Sequence, residues 1–339
     1  MFTVGPALPA TFGTTVPKGN YADLETKGFE LALSWNDKFN MGSKPFTYDV
    51  QLSLADNTAT ITKFNNPTKR LANINNTVTP DYYVGQRVGE IWGFVTDGFF
   101  TKDNIGEASK QKLYKATNGG NWAVGDIKFK DLNKDGVIDI GDNTAGKPGD
   151  KVVLGNLSPR YTYGINLGAG WNNIFFSVFF QGVAKQDWWP GSEADYFWGQ
   201  YNRPYNNALK SQLGKIWSED NPNAYFPKLR GYVAQNGQGE LAQVQSKYLQ
   251  SIAYIRMKNI QLGYNLPLNL IQKIKMNSAR VYVSGENLWT NSPLYKINGH
   301  NLDPENTGGS DRVLTDGTNG NGNNYPMLKS ITFGLSVTF

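Results

Sequence analysis

Apolar and polar residues alternate with a period of two through much of the chain, the mark of strands with two unlike faces. The last ten residues, SITFGLSVTF, show it most clearly. Ile331, Phe333, Leu335, Val337 and Phe339 share one face, and Ser330, Thr332, Gly334, Ser336 and Thr338 the other. GFELALSW sets Phe29, Leu31, Leu33 and Trp35 against Glu30, Ala32 and Ser34. FTYDVQLSLAD sets Phe46, Tyr48, Val50, Leu52 and Leu54 against Thr47, Asp49, Gln51 and Ser53. RYTYGINLGAG carries Tyr161, Tyr163, Ile165 and Leu167 on one side. A tight turn at Trp171-Asn172-Asn173 joins it to NIFFSVFFQGV as a hairpin. IAYIRMKNIQLGYNLP places Ile260, Leu262, Tyr264 and Leu266 together in its second half. ARVYVSGENLW alternates Val281 and Val283 with Arg280, Tyr282 and Ser284. VGEIWGFVTDG, from about Val88 to Gly98, reads as a weaker strand interrupted by glycine.

About eight strands of roughly ten residues follow, a length suited to crossing a bilayer at a tilt. Soluble strands run nearer five or six. An apolar face points to a core in a sandwich and to lipid in a barrel, so the pattern alone leaves both open. Leaving Gly aside, the longest apolar run is about four residues, Ile252 to Ile255, against the ~20 a spanning helix needs. The links are asymmetric. Gly170–Asn173 is tight and Pro267–Asn277 compact, whereas 99–159, 184–251 and 291–329 are long, polar and rich in Gly and Asn. With alternating strand directions the short links fall on one rim and the long loops on the other, as in outer-membrane barrels. Segment 58–87 is the exception, falling on the short side.

Composition narrows the classes. The 339 residues are 39% hydrophobic yet 13% aromatic, with 37 glycines, which favours β-structure with large loops over a helical bundle or disorder. Lys and Arg total 33 against 28 Asp and Glu, a net +5 without clustering, so no nucleic-acid partner is expected. Absence of cysteine excludes disulfides and thiolate chemistry. His300 is the only histidine and lies in the loop KINGHNLDPEN. The start, MFTVGPALPATFGTTVP, lacks a basic region followed by an apolar one, so either the protein is cytoplasmic or a front end is missing.

DLNKDGVIDIGD, residues 131–142, follows the twelve-residue calcium-loop template. Asp131, Asn133 and Asp135 occupy positions 1, 3 and 5, Val137 offers a backbone carbonyl, and Asp139 and Asp142 occupy positions 9 and 12. Aspartate instead of glutamate at position 12 and the lack of flanking amphipathic helices depart from it. A structural Ca²⁺ is the expectation; an Asx-rich turn is the alternative. KQDWWPGSEADYFWGQYNRPY, residues 185–205, collects Trp188, Trp189, Tyr196, Trp198, Tyr201 and Arg203. These are candidate substrate-binding residues, a platform for stacking on sugar rings; aromatic anchors for the loop itself are the alternative. Glu193 and Asp195 could be drawn as a glycosidase pair, but acids two apart in a Gly-rich loop are commonplace, so no enzyme is expected. Arg256, Lys258 and Arg280 would face a polar lumen if the strands form a barrel.

NYADLETKGFELALSW, VGQRVGEIWGFVTDGFF, GDIKFKDLNKDGVID, NLSPRYTYGINL, YIRMKNIQLGYNLP and ARVYVSGENLWT, with the alternating strand ending in Phe339, together resemble the SusC/RagA-type TonB-linked outer-membrane transporters of Bacteroidetes. The similarity runs from about Asn20 to Phe339. It implies an all-β, antiparallel, 22-stranded transmembrane barrel with an N-terminal plug and long extracellular loops. It also implies import of a glycan or peptide, a SusD-like surface lipoprotein as partner, and energy from a TonB complex acting on an N-terminal box. Residues 1–339 would then be the C-terminal part of the barrel, without the plug, unable to transport alone because an open sheet leaves unpaired edges in lipid. A secreted calcium-binding β-protein, a carbohydrate-binding module or adhesin, is the competing reading.

Overall fold

The computed structural model describes residues 2–4, 18–71, 82–113, 122–191, 194–230, 239–307 and 325–339. Seven strands form one antiparallel sheet: β1 (Asp23–Met41), β2 (Lys44–Lys63), β3 (Arg160–Trp171), β4 (Ile174–Lys185), β5 (Tyr254–Asn265), β6 (Ser278–Asn291) and β7 (Ser330–Thr338). Each pairs with its neighbour in the chain, so the sheet is an up-and-down meander.

Register turns local alternation into two continuous surfaces, because residues directly opposite each other share a face. Trp35, Val50, Leu167, Val178, Ile260, Gly285 and Ile331 stand in one row across all seven strands. One residue over, the opposite face carries Asn36, Asp49, Gly168, Ser177, Gln261, Ser284 and Thr332. The apolar face lies uncovered: Trp35 is 62% exposed and Phe333 83%.

Short links close one rim. β1 and β2 meet in a two-residue turn with Gly42 at φ +66°, and β3 and β4 through Asn172 and Asn173 at φ +47° and +70°. Asparagine tolerates the left-handed region that such hairpin turns demand. β5 and β6 are joined through the short helix Leu268–Ile271.

The segment expected as an eighth wall strand, 88–98, is not part of the wall. Glu90–Phe94 pairs with Lys151–Asn156, and Thr96–Phe99 pairs with Ile127–Phe129. Ile91, Phe94, Phe99 and Phe100 are all buried, so this stretch has no bare apolar face and packs as a core ribbon. With it removed, residues 64–159 form one connection at the same rim as 186–253 and 292–329. The odd placement of 58–87 disappears. Among the described residues these three connections supply every member of the main buried hydrophobic cluster, including Phe94, Phe129, Trp198, Phe226, Tyr248 and Leu294. They form a head at the rim opposite the tight turns, while on the sheet only scattered apolar residues among those described, such as Ile61, Val178 and Val183, are buried. No helix among the described residues is long and apolar enough to cross a membrane.

Candidate functional site

On the polar face, β5 carries a charge cluster that depends on a bulge. Phe179 pairs with Asn259 and Phe180 with Met257, leaving Lys258 as the extra residue. In unbroken alternation Arg256 would share the face of Ile260 and Leu262. The bulge turns the alternation over, and Arg256 falls opposite Gln181 and Thr290 on the polar side. There its Nη2 meets Asp303 Oδ1 at 2.6 Å, its Nη1 donates to Glu305, and its Nε donates to Thr290 Oγ1 at 2.9 Å. Lys258 Nζ lies 2.9 Å from Glu305, and the Tyr254 hydroxyl donates to the same carboxylate at 2.8 Å. Asp303 Oδ2 also accepts the Met327 N–H at 2.9 Å. Two cations against two carboxylates thus staple the last connection to the wall. Beside them is a cavity of about 390 Å³ bordered by Trp289, Tyr295, His300 and Lys329. The rings of Tyr295 and His300 stand 4.1 Å apart there. Asp303 and Glu305 were not legible as site residues, since nothing local links them to a strand some fifty positions earlier.

A second cavity, about 570 Å³, lies where β2 and β3 meet the head. Arg87, Glu90, Arg160, Lys185 and Asp187 line it, so both signs of charge face the same space.

The aromatic residues expected to stack on a ligand are differently placed. Trp188, Trp189, Trp198 and Tyr201 are buried in the head core. Trp198 Nε1 donates to the Pro190 carbonyl at 3.0 Å, and the Tyr201 ring stacks on Phe226 at 5.6 Å. With both faces packed, these four rings offer nothing to a sugar; they hold the loop together. Tyr196 is exposed, and half-exposed Arg203 lies 3.7 Å from Asp195. Glu193 and the Asn-Gly-Asn repeats at 318–324 lie outside the described residues.

The calcium-like loop is wound by its own side chains. Asp131 accepts the N–H of Lys134 at 2.6 Å and of Gly136 at 2.9 Å. Asn133 Oδ1 accepts from Asp135, Asp135 Oδ1 from Val137, and Asp139 Oδ1 from Gly141. Gly136, at φ +85°, supplies the turn. Asp142 at position 12 points to Lys147, 3.4 Å away at the surface. The carboxylate lying against the loop is instead the buried Asp150, which accepts the N–H groups of Leu132 at 2.7 Å and Asp139 at 3.0 Å. Among the described residues no group of three or more His, Cys, Asp or Glu is gathered as a metal site.

No protein-family model matches the chain. Relatives are found all the same. TonB-dependent receptor P3 of Formosa agariphila is 24% identical over 343 residues, covering 98% of this chain and 30% of the receptor. TonB-dependent receptor P26 of the same organism is 25% identical, with 98% and 31% covered. Among solved structures, the RagAB peptide transporter matches 99% of this chain and 31% of its own at a TM-score of 0.67 and 19% identity. The closed-closed state of the RagAB peptide importer matches 98% and 31% at 0.65 and 20%. The chain therefore spans about three tenths of the proteins it is similar to, which are receptors and importers rather than enzymes.

Proposed function

We propose that this chain, similar along nearly all its length to TonB-dependent receptors, forms the C-terminal wall and outer head of a SusC/RagA-type outer-membrane importer. The carrying observation is the unbroken apolar row across seven paired strands, from Trp35 to Ile331, backed by a polar row one residue over. A water-facing surface would not keep so wide an apolar face bare. Lipid outside and a polar lumen inside accommodate both surfaces. Further strands would continue the wall beyond β1 and β7, the two edges of this sheet. Fractionation of cells expressing the whole receptor tests this: extraction from the outer membrane only by detergent is expected. Release into buffer would refute it and favour the secreted calcium-binding module or adhesin.

The imported nutrient, on this reading, is a peptide or oligosaccharide, delivered under a SusD-like lipoprotein and driven by a TonB complex engaging the N-terminal part of the receptor. The mixed charges of Arg87, Glu90, Lys185 and Asp187 suit peptide termini and side chains better than a neutral sugar. Isothermal titration of the receptor with short peptides and with oligosaccharides distinguishes the two. The 131–142 loop takes a structural Ca²⁺ in this proposal, supported by its spacing and by the Asx turns that pre-wind it. Closure by Asp142 would require it to leave Lys147.

A further inference from the structure

Inside the head sits a carboxylate pair that neither wall nor calcium-like loop uses. Asp126 precedes the strand Ile127–Phe129, and Glu240 belongs to the connection 186–253; they are 1% and 2% exposed. Glu240 Oε2 accepts the Ile127 N–H at 2.5 Å, the first peptide N–H after Asp126. Asp126 Oδ2 accepts the Ala123 N–H at 2.8 Å and pairs with the Arg230 guanidinium. Glu240 Oε1 and Asp126 Oδ1 are left buried with no hydrogen-bond partner among the described residues.

The surrounding titratable groups do not fill that gap. The Tyr201 hydroxyl donates to the Pro227 carbonyl at 2.5 Å, and the Tyr248 hydroxyl to the Tyr225 carbonyl at 2.9 Å. Lys228 adds only a weak pull on Asp126. Two ionised carboxylates against one guanidinium would leave an uncompensated negative charge out of water, the most expensive state available to such a group.

We propose that Asp126 and Glu240 share one proton, carried by Glu240 and donated from Oε1 to Asp126 Oδ1. The pair is then a pH-sensitive clasp between 123–129 and 239–248. Losing the proton to solvent sets two carboxylates in repulsion and opens the clasp. Burial and the Asp126 charge hold Glu240 well above the usual carboxylate range. Burial also raises Asp126, against the pull of Arg230. A folded-state pKa above the unfolded one contributes stability that is complete below the ordinary carboxylate range. It is lost as pH rises through the folded value.

Whole-molecule melting is a poor readout, because Lys151, lowered to about 8 by burial, becomes less costly as pH rises. Local hydrogen exchange in the full chain, purified in detergent, isolates the clasp. After correction for intrinsic rates, protection of the Ile127 amide should fall with rising pH by up to about tenfold per unit. Glu240→Gln keeps the acceptor for Ile127 and supplies a permanent donor, so its protection should stay flat; Asp126→Asn supplies a donor from the other side and should also flatten the slope. Equal slopes in wild type and both variants would overturn the proposal. So would recovery of wild-type protection at high pH on adding Ca²⁺ or Na⁺, since a cation would then hold the site.

Discussion

Arg256 is worth more to this molecule than an ordinary surface cation because nearly all of it is out of water and two carboxylates face its guanidinium. Removing one side of a buried pair costs about 3–5 kcal/mol, since the charge left behind stays buried. Arg256→Met should therefore free the last connection from the wall, read as new protease cleavage within 295–305. Adding Asp303→Asn and Glu305→Gln should recover much of the loss. Gly334 shows the opposite economy. A Cβ there would run into the Tyr282 ring, and one at Gly263 into Phe175, so polar-face aromatics occupy the space above glycines on neighbouring strands. Gly334→Val should weaken the β6–β7 pair by about 1–3 kcal/mol through overpacking, visible as an earlier urea midpoint. Alternation alone places Gly334 on the polar face, whereas Arg256 is placed there only by its charge, since the bulge that turns it over is not written in the pattern. Their partners could not, because a side chain's long-range contact leaves no trace in local spacing.

Strand faces are an element-scale property, and they yield a paired test on β7. Phe333 lies in a row with Val283 and Leu262, Thr332 in the polar row with Ser284 and Gln261. Phe333→Lys should cost about 2–4 kcal/mol at mid-membrane depth while Thr332→Lys costs little. Folded yield in the outer membrane, scored by heat-modifiable gel mobility, separates them. The bulge at Lys258 gives a milder case. Deleting Lys258 removes the extra residue and leaves Arg256 opposite Gln181, so the folded receptor should still assemble in the same assay, short only of the Lys258–Glu305 pair. Seven of the eight expected strands stand in the wall, each pairing along its length with its neighbours in the chain. The stretch 88–98 fails as a wall strand for a visible reason: Ile91 and Phe94 are buried in the head, and Gly93 brings the backbone against the Val244 carbonyl.

At the scale of the molecule, the proposed membrane setting gives wall and head different solvents. The wall is stabilised by backbone pairing and by a hydrophobic exterior, the head by a water-excluding aromatic core built from three connections. In the proposed reading, calcium would bear on the head alone. Chelation with EGTA should increase proteolysis between 131 and 150 and leave the β1–β7 wall intact; unchanged cleavage would count against a bound ion. The sequence by itself determined the β class, the meander of long two-faced strands and the asymmetry of the rims, because each follows from a period of two and from where glycine and asparagine interrupt it. Only the tertiary structure decided which aromatics are core and which are open, that Asp150 rather than Asp142 backs the calcium-like loop, and that Arg256 finds Asp303 and Glu305. Those outcomes depend on which distant connections meet at one rim, and burial is a property of that meeting, not of any residue's neighbours in the chain.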